Sequence, residues 1–126
     1  MSAIQRFFSG VTETGDQQEP NLRTRYYRNQ KWEAIEALKG LPGQFPSFRL
    51  IHVDESRGEV MLECRNGIGL KHDLVVTVID ITPIRTAVDI HAALRAKFVD
   101  FGWNGKIIRS IYQYLDRRLS KDLSNG

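Results

Sequence analysis

Between residues 84 and 98 the chain alternates without a break. Val88, Ile90, Ala92, Leu94, Ala96 and Phe98 fall on one face of an extended strand, and Asp89, His91, Ala93, Arg95 and Lys97 on the other. Beyond residue 104 the period lengthens. Ile108, Ile111, Tyr112, Leu115 and Leu119 recur at helical spacing, opposite Lys106, Arg109, Gln113, Arg117 and Lys121, and Asn104 stands where a helix cap belongs. A second helix is predicted after Asn29 as N-cap, with Trp32, Ile35 and Leu38 on its apolar face and Gly40 to end it. Pro42, Gly43 and Pro46 then read as a rigid loop.

Four further strand signals surround these elements. Leu22–Arg28 mixes β formers with three arginines, which suits a half-exposed edge. Phe48–Val53 and Glu59–Arg65 read as a hairpin across a turn-forming segment, with Gly58 free to take a positive φ. Leu74–Ile81 is a β-branched apolar run, whose length predicts a strand with both faces largely covered, or at least a central one. Thr82-Pro83 turns the chain into the strand of residues 84–98. The order is β-α-β-β-β-β-α. Short turns between successive strands imply an α+β fold, a five-stranded antiparallel sheet with both helices on one face. Residues 1–21 are polar after Phe8 and read as a mobile N-terminal tail, residues 22–120 as a single domain, and residues 121–126 as a C-terminal tail.

Composition narrows the class. A chain of 126 residues with 41% hydrophobic and 26% charged residues fits one globular domain. A domain of this size buries roughly 65% of its unfolded surface and needs no disulfide. The single cysteine, Cys64, lies among Val60, Met61 and Leu62 and reads as a small buried hydrophobe. There is no signal-like apolar run at the start, and no stretch approaches the ~18 apolar residues of a membrane span, so a cytoplasmic location is expected. Net charge is +3, but it is uneven. Residues 1–21 set Arg6 against Glu13, Asp16 and Glu19, leaving 17 basic and 12 acidic residues in the remainder. That excess permits contact with an anionic partner without requiring one.

Chemical motifs are sparse. His52, His72 and His91 form no His-Glu-x-x-His pattern, so no metal is expected. Lys71-His72-Asp73 sets an imidazole next to a carboxylate, but neighbouring strand residues face opposite ways. Neither a Gly-x-Ser-x-Gly elbow nor a phosphate-binding glycine loop occurs, and Gly67-Ile-Gly69 lacks a third glycine, so no cofactor is expected. The best polar constellation is His91 and Arg95 on one strand face, with Lys97 beyond, Asp89 before, and Asp100 and Asn104 at the entry to the last helix. Solvated cross-strand ion pairs to Glu63 or Arg65 are the plainer account of this face; an anion site or acidic-partner site is the sharper one.

The stretch Asp100-Phe-Gly-Trp-Asn104, followed by Gly105-Lys-Ile-Ile-Arg109, resembles the entry to the basic helix in a bacterial family known as domain of unknown function 1499. The order of elements from Leu22 to Leu119 is similar too. In that alignment Arg95 matches the second arginine of the family's preceding strand. His91 stands in place of the first, and Ala92 and Leu94 in place of two serines. The resemblance implies a layout but no reaction, cofactor or catalytic residue.

Together these features favour a non-catalytic module that binds a partner protein or small ligand through the open sheet face, at His91, Arg95, Lys97, Asp100 and Asn104. The same face would serve a homodimer. Alternatives are nucleic-acid binding with Tyr26 or Tyr27 stacking on bases, membrane-surface contact through Ile4, Phe7 and Phe8, and a hydrolase or isomerase in which two histidines converge. A basic excess this small argues against nucleic acid.

Overall fold

The computed structural model describes residues 10–95 and 102–122. The chain opens with two three-residue strands, β1 (Val11–Glu13) and β2 (Arg25–Tyr27), separated by a 3-10 turn over Pro20–Leu22. Helix α1 (Lys31–Lys39) and the single turn α2 (Leu41–Gln44) follow. A meander of β3 (Phe48–Asp54), β4 (Glu59–Arg65), β5 (Lys71–Thr82) and β6 (Arg85–Leu94) leads to α3 (Trp103–Arg118).

Every strand pair is antiparallel, in the order β1-β6-β5-β4-β3. β2 shares the free edge of β6 with β1: β1 pairs with residues 91–93 and β2 with residues 86–88. The fold is α+β, an open antiparallel sheet with its helices on one face. Alternation explains which face is covered. Val60 and Leu62 of β4, Leu74, Val76 and Val78 of β5, and Val88, Ile90 and Ala92 of β6 pack with Ile35 and Leu38 of α1 and Ile108, Ile111 and Leu115 of α3 in one core. Each fully buried aliphatic side chain here contributes about 1.5–3 kcal/mol. The helices touch each other as well: the Tyr114 hydroxyl donates to the Ala37 carbonyl at 2.6 Å, and Phe45 meets Tyr114 edge-on.

Several expectations need correction. The tail does not extend through residue 21, because Val11–Glu13 adds a sixth strand. Thr14 and Thr24 donate to the same Asp89 carboxylate oxygen at 2.7 Å each, closing the gap between β1 and β2. Backbone pairing and two hydroxyls hold this segment, so it carries no apolar period to read. Nor does the described C-terminus hang free: Lys121 bridges to Tyr27, and the Arg85 guanidinium donates to buried Asp122 at 2.6 Å. β5 is central, but only one of its faces is covered, with Ile79 and Ile81 exposed on the last turn of the strand. Pro42 and Gly43 lie in the turn of α2 rather than in a loop.

The caps shift by a residue or two. Gln30, not Asn29, caps α1 in a reciprocal box with Glu33, while Asn29 accepts from the Ser120 N–H at 2.7 Å. Gly102, in the left-handed region at φ 84°, precedes α3, and Asn104 turns inward from its first turn instead of capping it. Ile4, Phe7, Phe8, Lys97, Phe98 and Asp100 lie outside the described residues. No helix among the described residues is long and apolar enough to cross a membrane.

Candidate functional site

On the uncovered sheet face, β6 presents His91, and Arg95 stands just past the strand's end. Both have partners. The His91 Nδ1 lies 2.7 Å from Glu13 Oε1, supplied by the strand that periodicity did not reveal. The Arg95 guanidinium forks between two carboxylates, donating from Nη2 to Glu63 at 2.7 Å and from Nε to Asp73 at 3.1 Å, with a second close contact from Nη2 to Asp73. Lys71 adds a looser pair to Glu63 at 3.8 Å. Hydrogen bonds from Arg95 hold the Glu63 and Asp73 carboxyls below the usual carboxylate range. The face therefore balances its own charge across β4, β5 and β6, and Asp89 is engaged by the two threonines.

Aromatic stacking on this sheet is also committed. Tyr27 is fully buried with its hydroxyl donating to Asp116 at 2.8 Å. Tyr26 carries the Arg85 guanidinium over its ring at 4.6 Å and donates to Asp16. Neither ring is offered as a platform for a nucleic-acid base.

Asn104 belongs to the opposite side of the sheet. It is completely buried, its Oδ1 is 2.6 Å from His72 Nδ1, and its Nδ2 donates to the Gly10 carbonyl at 2.8 Å. His72 is equally buried, facing the core as Asp73 faces out. Its Nε2 lies 3.1 Å from the Asn66 amide nitrogen. The orientation of Asn66 is fixed, because its Oδ1 accepts from the Ile68 and Leu70 N–H groups at 3.0 and 3.1 Å. The network thus assigns the proton to His72 Nδ1, donating to Asn104, and leaves Nε2 as the acceptor. This node ties the 66–70 loop, β5, α3 and Gly10 together.

Cys64 stands directly opposite His72 in the β4–β5 register and also faces the core. A Cys-His-Asn arrangement would need the imidazole Nε2 to take the thiol proton, but here that lone pair accepts from Asn66. Burial pushes the Cys64 thiol up, and the sulfur makes only long contacts to Ser47 and the Arg65 carbonyl. The histidines do not converge, since His72 is interior, His91 is on the far face and His52 is exposed on the edge strand β3. Among the described residues no group of three histidine, cysteine or acidic side chains gathers as a metal site.

A concavity of about 450 Å³ lies elsewhere, between α1 and the tip of the β5–β6 hairpin. Trp32, Ile35 and Pro83 form its apolar walls, and Glu36, Glu55 and Asp80 its acidic ones. The sequence places Trp32 in the core beside Ile35 and Leu38, but the buried stripe of α1 is Ala34, Ile35 and Leu38, and Trp32 is 61% exposed. Its indole N–H donates to the capping residue Gln30, which fixes the ring at the groove wall. A tryptophan two residues into a helix, just after its cap, is the signal that distinguishes this position from the core stripe.

No protein-family model matches the chain, and no curated protein matches it. Among solved structures it is similar to the Zhui aromatase/cyclase from Streptomyces sp. R1128, with a TM-score of 0.45 at 11% identity, over 86% of this chain and 85% of that one.

Proposed function

We propose that this protein is a ligand-binding module and that its ligand seats in the groove between α1 and the β5–β6 hairpin. The observation that carries this reading is Trp32, a large aromatic side chain anchored by its N–H and left uncovered beside Ile35 and Pro83. An indole buries about 150–250 Å² when covered, which is worth several kcal/mol at about 25 cal/mol per Å². Trp32 keeps the larger part of its surface in water, and a fixed ring is a preorganised contact that loses little side-chain freedom on binding. A groove volume of about 450 Å³ falls in the range of small-molecule sites rather than flat protein interfaces.

The test is Trp32 emission in a Trp103→Phe chain, followed during titration with small apolar and amphipathic compounds. Compounds that bind shift the emission, and Trp32→Ala abolishes their binding while leaving the circular dichroism spectrum unchanged. A ligand retained by the gently purified protein in native mass spectrometry, and held equally by Trp32→Ala, would refute the assignment. A protein partner or a second copy on the open sheet face is the second reading. It is favoured by Met61 and Ile79, apolar side chains exposed among that face's balanced charges.

A further inference from the structure

The groove's charge runs against that of the whole molecule. The chain carries 18 basic and 15 acidic residues, yet this one concavity gathers Glu36, Glu55 and Asp80 around Trp32, with Lys31 as the basic residue in its lining. The Lys31 ammonium is turned toward the Ser56 carbonyl at 3.4 Å. At the rim Lys39 sits between two of the carboxylates, 2.9 Å from Glu36 and 4.0 Å from Glu55. The protein's own ammonium thus occupies part of the acidic wall. Asp80 has no such partner among the described residues.

We infer that the groove selects a small organic cation, a protonated amine carried on an apolar body, with the ammonium between the Trp32 ring face and Asp80 and the body against Ile35 and Pro83. An indole face attracts a cation through its quadrupole, most strongly among the aromatic side chains. A free carboxylate on the facing wall supplies the directional partner, and the apolar walls take the rest of the molecule. Lys39 then acts as an internal competitor: it holds Glu36 and Glu55 and leaves Asp80 as the carboxylate open to the ligand. This rests on the groove being the binding site, and it adds the ligand's charge and class.

The experiment uses the full chain with Trp103→Phe and three probes of one shape: 2-phenylethylammonium, 2-phenylethanol and phenylacetate. Each is titrated to the millimolar concentrations that ligands of this size require, with Trp32 emission as the readout. The ammonium binds about five- to tenfold more tightly than the alcohol, combining a cation–π contact with an exposed ion pair, and phenylacetate binds weakest. Asp80→Asn shrinks the ammonium's advantage, Lys39→Gln enlarges it by freeing Glu36 and Glu55, and added salt reduces it. Because the two variants move the ratio in opposite directions, a fold defect in either one cannot imitate the pattern. If the alcohol or phenylacetate binds as tightly as the ammonium, the charge assignment is overturned while the groove remains the site. If none of the three perturbs Trp32, the groove reading falls along with it.

Discussion

Asn104→Ala tests the buried node that joins Gly10 and α3 to the sheet. The substitution removes the acceptor of the His72 Nδ1 proton, a 2.6 Å bond between two fully buried side chains. Both residues are fully buried, so the orphaned donor costs about 1–3 kcal/mol. It also removes the 2.8 Å bond to the Gly10 carbonyl, a net loss of about 0.5–1.5 kcal/mol. Gly10 is not left bare, since its carbonyl still accepts from the Leu94 N–H at 2.7 Å. Alanine regains a few tenths of a kcal/mol, up to about 0.7, in helix propensity. The sum is a destabilisation of about 1–4 kcal/mol, or roughly 3–20 °C in Tm for a chain of this size. Urea unfolding of wild type, Asn104→Ala, His72→Phe and the double variant gives the coupling energy, expected to be about 1 kcal/mol or more. Nitrogen-15 shifts of the imidazole report the tautomer, with the proton on Nδ1 in the wild type. A loss below about 0.5 kcal/mol, or a wild-type proton on Nε2, would refute the network.

Three further outcomes follow from the geometry. Gly58 sits at φ +69°, and a Cβ added there would lie 2.2 Å from the Val78 carbonyl oxygen and 2.8 Å from Lys31 Cε. Gly58→Ala should therefore lose about 3 kcal/mol or more by urea unfolding, from the left-handed backbone and the clash combined; a near-neutral result would mean the turn is not held as described. Arg95 keeps the Glu63 and Asp73 pKa values depressed, so its stabilisation is fully present above the unfolded carboxylate range near about pH 4 and is lost as pH falls through the lower folded values. The difference in unfolding midpoint between wild type and Arg95→Ala should shrink on acidification through that window, and a difference that stays constant or grows would contradict the ion pairs. The Cys64 thiol, buried and pushed up, should react with a thiol reagent only at the rate at which the chain opens. Modification at the pace of a free thiol under native conditions would show a reactive site.

Periodicity carried most of the architecture. The alternation of β6 and the 3.6-residue stripe of α3 were both legible because burial of one face is a local, repeating demand on sequence. Gly58 is legible because its positive φ restricts the residue at that point. Three residues at one spacing do not fix a helix's rotation, so Trp32 reads as core from the sequence; the burial of Ala34 beside Ile35 and Leu38 sets the rotation of α1. β1 was missed because its stability comes from partners 75 or more residues away, Asp89 and Ile90.

The α+β class, the order of the main elements, the covered face of the sheet and the burial of Cys64 are all legible in the amino-acid pattern alone. Each follows from the hydrophobic effect acting on nearby residues, which leaves a periodic trace. The tertiary structure alone decided that Arg95 is spent on Glu63 and Asp73, that Asn104 holds an interior histidine, and that Trp32 faces a groove whose far wall, Asp80 and Pro83, lies about 50 residues away along the chain. Such sites depend on which polar atoms the folded backbone brings within about 3 Å, and no spacing in the sequence records that.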